Sequence, residues 1–444
     1  MSAASPPAPR LLAGTELLGP VEGSGLREPP YLVRRPDGQV VQLSRVLYVI
    51  ARHLDGRDAT RVAEDAGREL GLRVRPDQVA YVADEKLFPV GLVARSDGTA
   101  PALERVDALL ALRHRVGVVP ERAVDALARA LSPLFRPPVV AAALLALVVV
   151  DGWLALHGVG RSVGAVIDRP ALALGLLATV IASLAFHECG HAAACRYGGA
   201  RPGRIGIGIY LIWPVFYTDV TDSYRLARRG RLRTDLGGVY FNVLFALAAA
   251  GAYAATGFEP LLLVVVGQQL LVLDQFVPWV RLDGYHVVSD LLGVSDLFAR
   301  IRPVLLALVP GRAPDPRVAQ LRPWARAGVT AWVLSTVLAL GTAGVVIAVH
   351  APAYISRAWQ SLVVQAEAVA GGAGAVATAA AVVGMAMLLM PVAGLTLTYV
   401  LLCRRLGMAL ALRRARAALV RGGKVPQPGT TNVLAAPPHA GAPS

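Results

Sequence analysis

The sequence predicts a mainly α-helical protein: a polytopic membrane helix bundle of about six spans, preceded by a soluble winged-helix-like α+β domain. Three observations carry that expectation. The 444 residues are 55% hydrophobic, too apolar for an ordinary soluble chain of this length. The apolar residues concentrate after residue 137, in stretches near the ~20 residues that cross a bilayer. The basic residues gather in alternate connections between those stretches, the pattern that orients membrane proteins. The formal net charge of +14 is therefore read as a topology signal, and no nucleic-acid partner is expected. Three cysteines, Cys189, Cys195 and Cys403, cannot build a disulfide framework.

Residues 1–30 are rich in Pro and Gly and are expected to form a flexible N-terminus, with no hydrophobic signal-peptide core in Met1 to Gly14. Residues 31–97 read as a compact domain. Two β-prone runs, 31–34 and 40–43, flank Arg35-Pro36-Asp37-Gly38, a hairpin signal. Helical patterns follow near 44–54, 59–71 and 76–86. In the second, Ala63, Ala66 and Leu70 share a face, and Gly71 marks its end. Residues 88–93 are expected to close the domain as a strand. Residues 98–137 read as an amphipathic basic connector, helical and lying on the membrane surface or packed beneath the bundle, with Arg105, Arg113, Arg115, Arg122, Arg129 and Arg136.

Six apolar stretches fall near 138–157, 171–195, 235–256, 260–281, 328–350 and 376–402, within a membrane domain at 138–402. Between the second and third, the alternation of Ile205, Ile207 and Ile209 with Gly206 and Gly208, then Pro214, suggests a short hairpin or re-entrant piece. Segments 196–233 and 281–326 carry eight and seven arginines, and the stretch 404–424 carries seven basic residues. The alternate loops hold only Arg161, Arg169 and Arg357. This bias predicts a multi-pass protein of the cell membrane with both termini cytoplasmic, including the basic tail 403–444, disordered at its end. It also places the C-terminal end of the second span near the cytoplasmic leaflet.

That end carries His187-Glu188-Cys189-Gly190-His191. On a helix the two histidines stand one turn apart on one face and can share a metal ion, with Glu188 beside them to take a proton from water. Ionisable groups at that depth are rare and usually functional. A hydrolytic centre of this kind needs a third protein ligand. Asp283, in Leu282-Asp283-Gly284-Tyr285-His286, is the best candidate, because the fourth span ends at the same face. The alternative for Asp283 is a turn residue or a helix cap. His286 reads as a non-ligand, Asp274, Gln268 and Gln275 as partners for interhelical hydrogen bonds, Asp219 and Asp222 as turn or cap residues, and Cys189 as packing. Mixed nitrogen and oxygen ligands favour Zn2+.

Taken together these residues resemble the site-2 protease class of intramembrane zinc metalloproteases. His187, Glu188 and His191 match its HExxH motif, Asp283-Gly284 its Asp-Gly motif, and Gly238-Val239-Tyr240-Phe241-Asn242 is similar to its GxxxN element. The departure is Leu282, which stands where the usual motif has Asn-Pro before the Asp. The form Arg-Leu-Asp-Gly-Tyr, with Phe-Tyr-Thr-Asp-Val-Thr-Asp, looks like the bacterial branch known as peptide zinc metalloproteases. Residues 31–97 look like a PqqD-like domain, the fold of leader-peptide recognition elements. The resemblance implies Zn2+ on His187, His191 and Asp283, Glu188 as general base, and Asn242 and Gly238 near the substrate. It implies a peptide or membrane-protein substrate in the lipid bilayer, with maturation of a small modified or exported peptide as the expected role and a leader peptide at 31–97. Two other roles stay open at this point: regulated intramembrane proteolysis of a membrane-tethered transcription regulator, and a non-enzymatic peptide-binding or export accessory. The complete His/Glu/His/Asp set argues against the last.

Overall fold

The computed structural model of the chain describes residues 9–94, 113–158, 169–210, 213–311, 315–372 and 374–390, and the positions 99, 101, 313, 392, 393, 396, 400, 404 and 407. The chain divides into two compact units, Met1–Leu388 and Leu389–Ser444. Everything below concerns the first. Residues 102–112 of the expected connector, Arg161, Cys403 and nearly all of the basic tail lie outside the described residues.

The N-terminal region holds a three-stranded antiparallel sheet in the order β1 (Glu16–Pro20), β2 (Tyr31–Arg34), β3 (Val40–Leu43). The expected hairpin is β2–β3, in register from Tyr31 opposite Leu43 to Arg34 opposite Val40, and Gly38 supplies the positive φ its turn needs. Strand β1 corrects the expectation of a flexible start. Its pairing is irregular between Leu17 and Gly19, and its composition reads as loop, so only the partner strand β2 reveals it. Helices α1 (Arg45–His53), α2 (Ala59–Leu70) and α3 (Pro76–Tyr81) follow. Ser44 caps α1, Asp58 caps α2 through Thr60 N, and Gly71 ends α2 in the left-handed conformation. The helix continues past α3 as a π-helical turn, Val82–Leu87. Residues 88–93 form turns with a single β-bridge from Val93 to Leu11, instead of the expected strand. Val33, Ile50, Val62, Val79 and Leu87 close one apolar core under the sheet.

The connector differs most from its reading. Among its described residues, 113–119 are strand β4 (Arg113–Val119), followed by helix α4 (Glu121–Leu131) and a 3-10 turn, Ser132–Phe135. Strand β4 adds to the hairpin β5 (Ile205–Tyr210) and β6 (Trp213–Thr218), giving the order β4-β5-β6. Valines at 116, 118 and 119 suit a strand, and Gly206 lets it approach: a Cβ there would lie 2.2 Å from the Val116 carbonyl oxygen.

Among the described residues, four helices are long and apolar enough to cross a membrane: α5 (Pro137–His157), α6 (Pro170–Tyr197), Gly237–Thr256 and Pro323–Ala370. Two more apolar helices are described: Pro260–Gln275, shorter than the span expected there, and Ala375–Met390, beyond which the described positions 392, 393, 396 and 400 are also helical. The first stops ahead of Pro278, which disfavours helix at the residue before it. Pro323–Ala370, by contrast, runs 48 residues straight through Pro352, where an end near 350 is expected. Between the spans lie the short helices α7 (Arg228–Asp235) and, after α8 (Gly237–Thr256) and α9 (Pro260–Gln275), α10 (Asp283–Leu292). Helix α8 is the inner one. Of its apolar window 44% is buried, against 6% for α5.

Candidate metal centre

Helices α6 and α8 touch backbone to backbone. A Cβ on Gly190 would lie 2.3 Å from the Gly237 carbonyl oxygen, and one on Gly237 would lie 2.6 Å from that of Gly190. This close approach places α8 directly over the histidine face of α6. Both imidazoles are buried there. The two Nε2 atoms stand 3.1 Å apart, and Asp283 Oδ2 lies 3.3 Å from that of His187 and 3.4 Å from that of His191.

Asp283 arrives from the other side, at the first turn of α10. It is not a cap: Leu282 holds the cap position, and no side chain caps the helix. Gly284 allows the approach, since a Cβ there would lie 2.6 Å from the backbone of Phe276 at the end of α9. The linker before α10 is pinned to the long helix by Trp332 Nε1, which donates to the Pro278 carbonyl. Burial by itself would raise the Asp283 carboxyl, but the two histidines override it and hold the group well below the ordinary carboxylate range.

Three donor atoms at such spacings fit one face of a tetrahedral ion. Bonds of about 2.0–2.1 Å in tetrahedral geometry separate neighbouring donors by about 3.3 Å. Two further observations bear on the fit. His191 Nδ1 lies 2.8 Å from the Thr234 carbonyl oxygen, which accepts the ring proton there and turns Nε2 inward. Gly238 stands against both rings. A Cβ at that position would lie 2.3 Å from His187 Nε2 and 2.5 Å from His191 Nε2, so the missing side chain is what keeps the space before the nitrogens open. His187, His191 and Asp283 form the one group of potential ligands of this kind among the described residues. Their chemistry suits Zn2+.

Glu188 is held by β6. Thr218, its last residue, sets its hydroxyl 2.7 Å from Glu188 Oε2 and 2.9 Å from the Glu188 carbonyl oxygen. No sequence pattern pointed to Thr218, because the contact joins a strand to a helix thirty residues away. Asn242 is one turn beyond Gly238 on α8. It is buried, and neither atom of its carboxamide has a hydrogen-bond partner among the described residues. Gln268 is also buried, with an unpaired Oε1, whereas Asp274 is exposed. His286 is exposed and outside the triangle. Asp219 caps Thr221, Asp222 pairs with Arg34 and Arg225, and Cys189 packs among apolar side chains.

Beside the triangle lies a second buried polar group, made of Arg231 and Asp235 on α7 and Asp290 on α10. Arg231 is 2% exposed, and its Nε lies 3.2 Å from both Asp290 oxygens. Burial, with the Asp290 charge beside it, pushes the Asp235 carboxyl up to about 8. The sequence offered these arginines only as topology determinants.

No family model, no curated protein and no solved structure matches the chain.

Proposed function

We propose that the chain is a membrane-embedded zinc metalloendopeptidase of site-2 protease type, cutting a peptide bond in the maturation of a small peptide. The support that carries this reading is the spacing of His187 Nε2, His191 Nε2 and Asp283 Oδ2, all within 3.1–3.4 Å of one another in an apolar helix bundle. Zn2+ held by these three residues would polarise the scissile carbonyl and acidify a water molecule. Glu188 accepts the proton of the attacking water and hands it to the leaving amine. The Thr218 hydroxyl engages one oxygen of Glu188 and orients the carboxylate, so that the other oxygen carries the proton. A substrate helix must unwind first, because a helical carbonyl is already hydrogen-bonded. Strand β6 is an edge of its sheet and ends at Glu188, which suits pairing with an extended peptide. The unpaired Asn242 carboxamide offers a donor and an acceptor to the same backbone.

The sheet and helices of residues 31–97 support recognition of a leader peptide, which raises the local concentration of the attached substrate. The reading keeps six membrane passages, two of them through the short helices Pro260–Gln275 and Ala375–Met390, with both termini cytoplasmic. Replacing Glu188 with Gln tests it. The variant retains zinc and loses about 10²–10⁴-fold in cleavage of a peptide substrate presented in membranes. Cleavage by Glu188→Gln at the wild-type rate rules the mechanism out.

A further inference from the structure

Helix α7 touches both halves of the ligand set. At one end the Thr234 carbonyl fixes His191. Three residues earlier, on the same face, Arg231 binds the Asp290 carboxylate. Asp290 and the ligand Asp283 are seven residues apart on α10, two turns along one face. Arg228 adds a bond from its Nε to the Asp290 carbonyl oxygen at 3.0 Å. Arg231 also reaches a third element: its Nη2 donates to the Glu22 carbonyl oxygen at 3.1 Å, in the loop between β1 and β2.

That loop is locked onto the far end of α10. Gly25 N donates to the Gly293 carbonyl oxygen at 2.8 Å, and the Gly25 carbonyl accepts from Arg322 N at 2.8 Å. There is no slack in this contact, because a Cβ on Gly25 would lie 2.1 Å from the Leu292 carbonyl oxygen. A buried ion pair contributes little net stability, since apolar residues of similar size often serve as well. Its place here is explained by geometry.

We propose that Arg231 is a positioning residue of the metal centre, joining the Asp290 carboxylate and the Glu22 carbonyl so that the helix bearing Asp283 is held in register with the helix that fixes His191. The N-terminal loop 22–27 is thus part of the scaffold of the site. This rests on the reading of His187, His191 and Asp283 as metal ligands.

The test uses Co2+ as probe and the full chain in detergent, with metal affinity and the visible ligand-field bands as readouts independent of proteolysis. Three proteins are compared: wild type, Arg231→Lys, and Arg231→Met combined with Asp290→Leu, which removes both charges together. The double variant is expected to fold, to bind Co2+ about 10–100-fold more weakly, and to show shifted bands, with Arg231→Lys in between. A folded double variant with wild-type affinity and spectrum overturns the proposal, because cancelling a charge is then all that Arg231 does. If the double variant does not fold, Arg231→Lys decides: unchanged bands and affinity overturn the proposal, and shifted ones support it. A wild-type chain that binds no Co2+ overturns the metal-site reading itself and this proposal with it.

Discussion

The N-terminal sheet domain and the region around His187, His191 and Asp283 differ in how many buried polar atoms they leave unpaired: Thr15 Oγ1 and Gln39 Oε1 in the first, more in the second. In the first, helices are capped by their own flanking side chains, Ser44 and Asp58, and the core from Val33 to Val93 is apolar. Around the His187–His191–Asp283 group, His187 Nδ1, both carboxamide atoms of Asn242, Asp235 Oδ2 and Asp283 Oδ2 are buried with no hydrogen-bond partner among the described residues. Each such group costs about 1–3 kcal/mol if nothing meets it. Under the proposed function, the region that leaves several of them unpaired is the one a metal and substrate would fill. The contrast separates what a substitution should do in each place.

The largest expected effect is at Gly238. Gly238→Ala would put a carbon 2.3 Å from His187 Nε2, and metal affinity should fall by more than about 100-fold while the helix content by circular dichroism stays as it was. Retained metal in that variant would break the contrast at its centre. Leu87→Ala, in the fully buried N-terminal core, should do the reverse: about 2–5 kcal/mol of stability lost in that domain, with metal affinity unchanged. Denaturant unfolding and a metal titration of the same preparation check both halves.

The smallest effect sharpens the contrast through pH. Asp235, pushed up to about 8 by burial and the Asp290 charge, takes up a proton on folding between its ordinary value of about 4 and about 8. The unfolded state then binds fewer protons than the native one, so stability falls as pH rises from about 4 to about 8 and is level above. Asp235→Asn removes that slope. Its thermal midpoint should match the wild type near pH 4 and exceed it by most at pH 8 and above. Parallel curves for the two proteins would show that Asp235 carries no such load.

Much of this was legible locally. The hairpin turn at Asp37-Gly38, the stop at Gly71 and the four-residue spacing of His187 and His191 are short-range patterns, and each stands where the spacing puts it. Charge topology brought Asp283 to the depth of the histidines, although α10 is a separate helix. Long-range pairings misled the reading. Strand β4 reads as amphipathic helix until β5, far along the chain, offers an edge, and β1 reads as loop until β2 does. The fifth apolar stretch reads as ending near 350, yet the helix continues through Pro352, because a proline removes only one backbone bond.

By itself the sequence picked out His187, His191 and Asp283, the apolar helices and the small domain before them, because residue type and periodicity act within a few turns. Only the tertiary structure decided that Gly238 clears space before both imidazoles, that Thr218 holds Glu188, and that Arg231 binds a helix and a distant loop at once. Those contacts join segments with no common period. Their geometry follows from backbones packed as closely as glycine permits, which no local pattern encodes.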